Sequence, residues 1–192
     1  LLGAGLIVGL YFLLRRFRAK TQTIVLGILS FSGIAAIIFN LVTWGSPYEY
    51  LPLHLCSINI FVCVFNSFRR DELSSEVLYA TCIPGATLAL LMPTWNDLPY
   101  FNFMSIHSNS VHVLLLMYPL LLLAGGFKPD IRRVPKVFLV LLCECTPIFF
   151  LNKIIGTNFF FLNGTANNPV LELFAGIFGE KLYILGMPVL LV

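Results

Sequence analysis

Charge is what this sequence has least of. Only 11% of its 192 residues are charged, while 58% are hydrophobic; a soluble domain carries roughly 25% charged residues. The shortage points to a polytopic membrane protein, and the length suits a single membrane domain over 1–192 with no room for a soluble catalytic module. Several chemical signatures are missing too. The five cysteines (Cys56, Cys63, Cys82, Cys143, Cys145) lie in apolar segments and show no Cys-x-x-Cys or zinc-ribbon spacing, so they are not a secreted disulfide framework. There is no Gly-x-Ser-x-Gly elbow of the kind hydrolases use. There is no internal repeat and no inverted symmetry between the halves, which disfavours the commonest transporter designs.

What is present is a series of apolar segments near the roughly 20 residues that a spanning helix requires. They run over 1–14, 24–44, 51–68, 73–92, 102–125, 134–151 and within 170–192. The expected fold is an all-α bundle of about seven transmembrane helices. Both the first and the last segment read as truncated, as in a piece of a longer chain. Ten of the twelve basic residues fall in every second connection: Arg15, Arg16, Arg18 and Lys20; Arg69 and Arg70; Lys128, Arg132, Arg133 and Lys136. By the positive-inside rule these loops are cytoplasmic and the N-terminus is outside. The net charge of +3 is explained by this topology, without any nucleic-acid partner. In the last segment, a span over 170–192 would bury Glu180 and Lys181 near the midplane. A short interfacial helix over 170–179, with a span beginning near Lys181, avoids that cost.

The topology puts all three histidines in the outer half. His54 and Cys56 lie at the start of the third segment, and His107, Asn109 and His112 lie in the fifth. The outer connection 152–169 is rich in asparagine, with Asn158 among them. Ionisable groups in a bilayer are costly and usually face a protein interior or a wet cavity, so these residues are the functional candidates. Pro52 fits the first turn of a helix. Residues two apart point to nearly opposite sides of a helix, so His54 and Cys56 do not form a dyad. A nucleophilic Cys56 needs its base from elsewhere, from His107 or His112; otherwise it is a buried thiol acting as a small hydrophobe. Cys56, Asn59, Cys63 and Asn66 recur at i, i+3, i+7 and i+10, a stripe suited to helix packing or a cavity wall. His112 has Ser108 at i−4 and Asn109 at i−3 as orienting partners. A metal site from His54, His112 and Glu172 lacks the close ligand spacing zinc usually shows. Lys181 in the last segment suggests a retinal protein, but segment three holds no acidic counter-ion. Glu144 lies deep in the sixth segment, as a proton relay or as a neutral hydrogen-bonding group. Asn163-Gly164-Thr165 forms a glycosylation sequon on the outer side.

Pro52-Leu53-His54-Leu55-Cys56, Leu91-Met92-Pro93, Val111-His112-Val113, and Gly156-Thr157-Asn158-Phe159 followed by Asn168-Pro169 resemble the YwaF-like family of bacterial integral membrane proteins over most of 24–190. Eukaryotic relatives of that family are regarded as cysteine-dependent acyltransferases that remodel phospholipids. Their cysteine directly precedes the histidine matching His54, where this sequence has Leu53. The resemblance implies a lipid-handling protein of the bacterial plasma membrane, working on a phospholipid or other amphiphile without a cofactor or metal. His54, Cys56 and His112 are the expected catalytic groups, and Asn59, His107, Asn109, Asn158 and Glu172 the expected substrate-binding ones. Two other readings use the same residues. The first is a non-enzymatic binder or transporter of a small polar or amphiphilic ligand; the second is an assembly subunit whose polar residues only join helices.

Overall fold

The computed structural model describes residues 5, 8–9, 11–13, 15–16, 19–43, 48, 51–92 and 103–191. Among the described residues six α-helices have both ends defined: α1 (Ala19–Thr43), α2 (Leu55–Arg69), α3 (Glu72–Leu91), α4 (Phe103–Ala124), α5 (Val134–Ile155) and α6 (Pro169–Phe178). Short 3₁₀ segments lie at Ile131–Arg133, Phe159–Phe161 and Tyr183–Leu191, and there is no strand among the described residues. The fold is the all-helical membrane bundle expected from composition. The five inner apolar segments each became a helix, with bounds shifted by a few residues. Most of segment 1–14 lies outside the described residues. The last segment opens with the short helix α6, followed by exposed Glu180 and Lys181 and the 3₁₀ segment. Among the described residues three helices are long and apolar enough to cross a membrane: Glu72–Leu91, Ser105–Ala124 and Ile131–Ile155.

The helix ends follow from local chemistry. The Asp71 side chain caps α3 by accepting from the Ser74 N–H at 2.8 Å. Asn168 caps α6 by accepting from the amides of Val170 and Leu171, with Pro169 in the first turn. Gly156 stops α5 in the left-handed conformation, φ +72°, where a side chain would be strained.

Helix α3 is the hub. It packs against α2, α4, α5 and the Tyr183–Leu191 segment. Its buried residues include Ser74, Ser75, Ala80, Thr81, Cys82 and Ala86, and small side chains let helices approach closely where lipid supplies no hydrophobic drive. Two carboxamides on α2 fix the register. Asn59 donates to Thr81 Oγ1 at 3.0 Å. Asn66, fully buried, directs Nδ2 to the hydroxyls of Ser74 and Ser75 at 2.8 and 2.9 Å and to the Asp71 carbonyl at 3.2 Å. Its Oδ1 accepts from the Tyr118 hydroxyl of α4 at 3.1 Å. The pairs 59–81 and 66–74/75 make α2 and α3 antiparallel.

Arg133 and Glu76 join the basic connections. Glu76, 3% exposed, accepts from the Asp130 N–H at 3.1 Å and from Arg133 Nη1 at 3.4 Å, and Arg133 also pairs with Glu72. The α2–α3 turn and the α4–α5 connection therefore lie at one end of the bundle. That end holds Arg69, Arg70, Lys128, Arg132, Arg133 and Lys136, as the alternation of charge expects. Exposed apolar side chains cover the outside, among them Phe31, Phe65, Phe68, Leu139, Phe150 and Ile154. Such a surface is a liability in water and the natural one in hydrocarbon.

Asn66→Ala strips three buried hydroxyls of a partner at once. It is expected to lower stability by about 1–3 kcal/mol, more than Tyr118→Phe, which removes only one of those bonds. Thermal unfolding of the two variants in one detergent checks this ranking.

Candidate functional site

At the end opposite the basic loops, His54 occupies the N-cap position of α2 with extended backbone (φ −74°, ψ 149°) and makes no side-chain capping bond. Pro52 lies two residues ahead of this cap rather than in the first turn. The imidazole is left to pack against aromatic rings. It meets Phe159 edge-on with centroids 5.1 Å apart, and Phe161 at a tilt at 5.7 Å. Around this contact, Leu51, Leu53, Leu55 and Ile58 pack against Phe159, Phe160, Leu162 and Ile148. Cys56 faces elsewhere, packing against the α2–α3–α4 core that contains Cys63 and Cys82.

The turn that presents Phe159 and Phe161 is held under strain. Phe160 and Phe161 both have positive φ, +57° and +54°. For aromatic residues this backbone region is rare and costs about 1–3 kcal/mol each. Asn152, 1% exposed, compensates. Its Nδ2 donates to the Phe159 carbonyl at 2.9 Å, and its Oδ1 accepts from the Phe159 N–H at 3.0 Å and from Thr157 Oγ1 at 2.8 Å. Its own carbonyl accepts the amides of Gly156 and Thr157. Asn158 repeats the device one step further along, donating to the Gly164 carbonyl and accepting from the Asn163 N–H, both at 2.8 Å. Asn163 donates to the Thr157 carbonyl, and the Tyr183 hydroxyl donates to the Phe161 carbonyl. Glu172, exposed on α6, accepts from the Thr165 hydroxyl.

His112 projects from α4. Its Nδ1 lies 2.8 Å from the Ser108 carbonyl and 3.5 Å from Ser108 Oγ. A carbonyl only accepts, so Nδ1 carries a proton, and when the ring is neutral the lone pair is on Nε2. Asn109 donates to the Ser105 carbonyl at 2.8 Å, and His107 is half-buried one turn before Val111. Helices α2 and α4 enter from the same end, and the Asn66–Tyr118 bond sets them 52 residues apart in register, from 66 to 118. Cys56 is thereby about level with Ser108, one turn above His112.

The structure thus distributes the predicted residues over three neighbouring groups. His54 sits with the aromatic turn whose loop carries Asn158 and Glu172. Cys56 and Asn59 lie along the α2–α3 seam. His107, Asn109 and His112 share the first half of α4. Among the described residues no hydrogen bond joins His54 to His112, and no three His, Cys, Asp or Glu residues come together as a metal site. Sequence reasoning missed Asn152, Phe159, Phe161 and Tyr183. The run of asparagines after an apolar helix closing on Gly156 was the available signal, since clustered Asn marks built turns.

Asn152→Ala removes three of the side-chain bonds that offset the Phe160–Phe161 strain. It is expected to destabilise the protein by about 1–3 kcal/mol and to open 156–168 to protease. Limited proteolysis alongside thermal unfolding measures both effects.

No curated protein and no solved structure matches this chain. A family model does match: that of the TMEM164 family covers residues 1–192, so the chain belongs to this family of transmembrane proteins.

Proposed function

We propose that the protein handles a phospholipid or other amphiphile at the end of the bundle opposite the basic loops, and that it does so by acyl transfer through Cys56. The observation that carries the reading is the His112–Ser108 carbonyl bond. It fixes the tautomer that leaves Nε2 as a base, one turn from the level of the Cys56 thiol. The positive-inside rule places this end at the outer leaflet. The resemblance to the YwaF-like proteins and their acyltransferase relatives adds the reaction class, with Cys56 taking the role that the residue at Leu53 holds in those relatives.

In the first step the Cys56 thiol adds to the ester carbonyl of the donor lipid while His112 Nε2 takes the thiol proton. Collapse expels the lysolipid alkoxide, which takes that proton from His112 and leaves a thioester on Cys56. In the second step an acceptor hydroxyl gives its proton to Nε2 and adds to the thioester, and the thiol is restored. Splitting the transfer in this way is the advantage of a covalent intermediate. Asn59 and Asn158 each use one amide hydrogen internally and keep a second for an oxyanion or head group. His54 between its two phenylalanines, together with His107, Asn109 and Glu172, borders the approach of the head group.

A second reading is binding or transport without chemistry. It draws on the packing of Cys56 against the apolar core, because a thiol in such surroundings is unreactive.

Cys56→Ala separates the two. Acyl transfer predicts at least a 100-fold loss of phospholipid turnover in reconstituted vesicles, with the melting temperature little changed. Full turnover in Cys56→Ala, or lipid binding lost only in His54→Ala and His112→Ala, rejects the covalent mechanism.

A further inference from the structure

One ionisable group interrupts the inward stripe of α5. Val137 and Ile148 are buried, 1% and 6% exposed, and Glu144 falls on their face, seven residues after the first and four before the second. Its Oε2 is occluded and has no hydrogen-bond partner. On one side of it Val137 packs against Val77 and Ala80 of α3. On the other, Ile148 joins the aromatic cluster beside His54. Glu144 stands at the break between these two apolar clusters.

Helices α3 and α5 both start at the basic end, and the Val77–Val137 packing sets a register that brings Pro84 level with Glu144. Pro84 shares the α5-facing stripe with Val77 and Ala80, at i+7 and i+4. Having no N–H, it gives the Ala80 carbonyl no bond from the i+4 position. By this register the Ala80 carbonyl, without its i+4 donor, lies at about the depth of the unpaired Glu144 carboxyl oxygen. Beside them, Gly85 is exposed, and a Cβ built on it would meet nothing within 4 Å, so the α3 side of this break is open. Buried acceptors without donors are rare in folded proteins, and each calls for an account.

We propose that this break between α3 and α5 is a binding site for the hydrogen-bond-donating head of an amphiphile, a primary amine or a hydroxyl, with the Glu144 carboxyl and the Ala80 carbonyl as its acceptors. The apolar clusters on either side suit the attached chain, and the membrane delivers it. The site is separate from Cys56 and His112 and does not depend on acyl transfer.

The test uses the full chain in phosphatidylcholine nanodiscs, whose lipid head carries no donor. Dicyclohexylcarbodiimide, an apolar reagent that adds a protonated carboxyl across its C=N bond, is expected to label Glu144 by peptide mass. Dodecylamine or dodecanol should slow that labelling several-fold, and dodecyltrimethylammonium, which has charge but no donor, should not. Stronger protection by dodecylamine than by dodecanol marks an amine site, and the reverse a hydroxyl site. Equal protection by the trimethyl compound, or protection by none, overturns the proposal. Glu144→Leu removes the orphaned acceptor while keeping bulk. It is expected to keep or raise the melting temperature and to lose the stabilisation that the donor-bearing compounds give the natural protein. A lower melting temperature with that stabilisation retained would show Glu144 to be a packing residue only.

Discussion

Polar groups that face the inside of this bundle depend on the protein for their partners, because hydrocarbon offers none. Asn66 shows the constraint at its strongest. One buried carboxamide meets two serine hydroxyls, a backbone carbonyl and a tyrosine hydroxyl, and so locks α2, α3 and α4 in a single register. Asn59 with Thr81 repeats the link nearer the opposite end. Lipid tails do not drive these helices together, so hydrogen bonds of this kind and the close approach of small residues decide how they sit. Once α2 is fixed, its first turn carries His54 to the aromatic cluster and Cys56 to the core.

The same rule governs the long connection after α5. Its backbone turns sharply under the rings that meet His54, through two phenylalanines in a conformation aromatic residues avoid. Asn152 and Asn158 supply the missing donors and acceptors, so the surface around His54 rests on asparagines within the connection itself. The strain is local and the compensation is local, a common arrangement where a loop must hold a fixed shape.

Much of this was legible in the sequence. The apolar segments gave the helices, because a span has a minimum length and a composition that little else shares. The alternation of basic loops gave the common end, which the Arg133–Glu76 pair reproduces. The i, i+3, i+7, i+10 stripe on α2 marked a buried face, and Asn59, Cys63 and Asn66 lie on it. The aromatic turn was not legible. Nothing in Phe159-Phe160-Phe161 announces left-handed backbone, since that geometry is imposed by Asn152 from seven residues away and by Tyr183 from twenty-two residues away. Nor does the sequence tell that one amide of Asn158 is already committed to its own loop. Whether a polar residue is a scaffold or a contact depends on partners that only the fold brings together.

Acyl transfer as proposed requires that Cys56 carry an acyl group. Its most direct measurement is the intact mass of the purified protein after incubation with a phospholipid of one defined acyl chain. A covalent intermediate predicts a mass increase equal to that acyl chain, located on Cys56, removed by neutral hydroxylamine and absent from His112→Ala. An unmodified protein that nonetheless turns over the lipid, or an adduct that persists in Cys56→Ala, would contradict it.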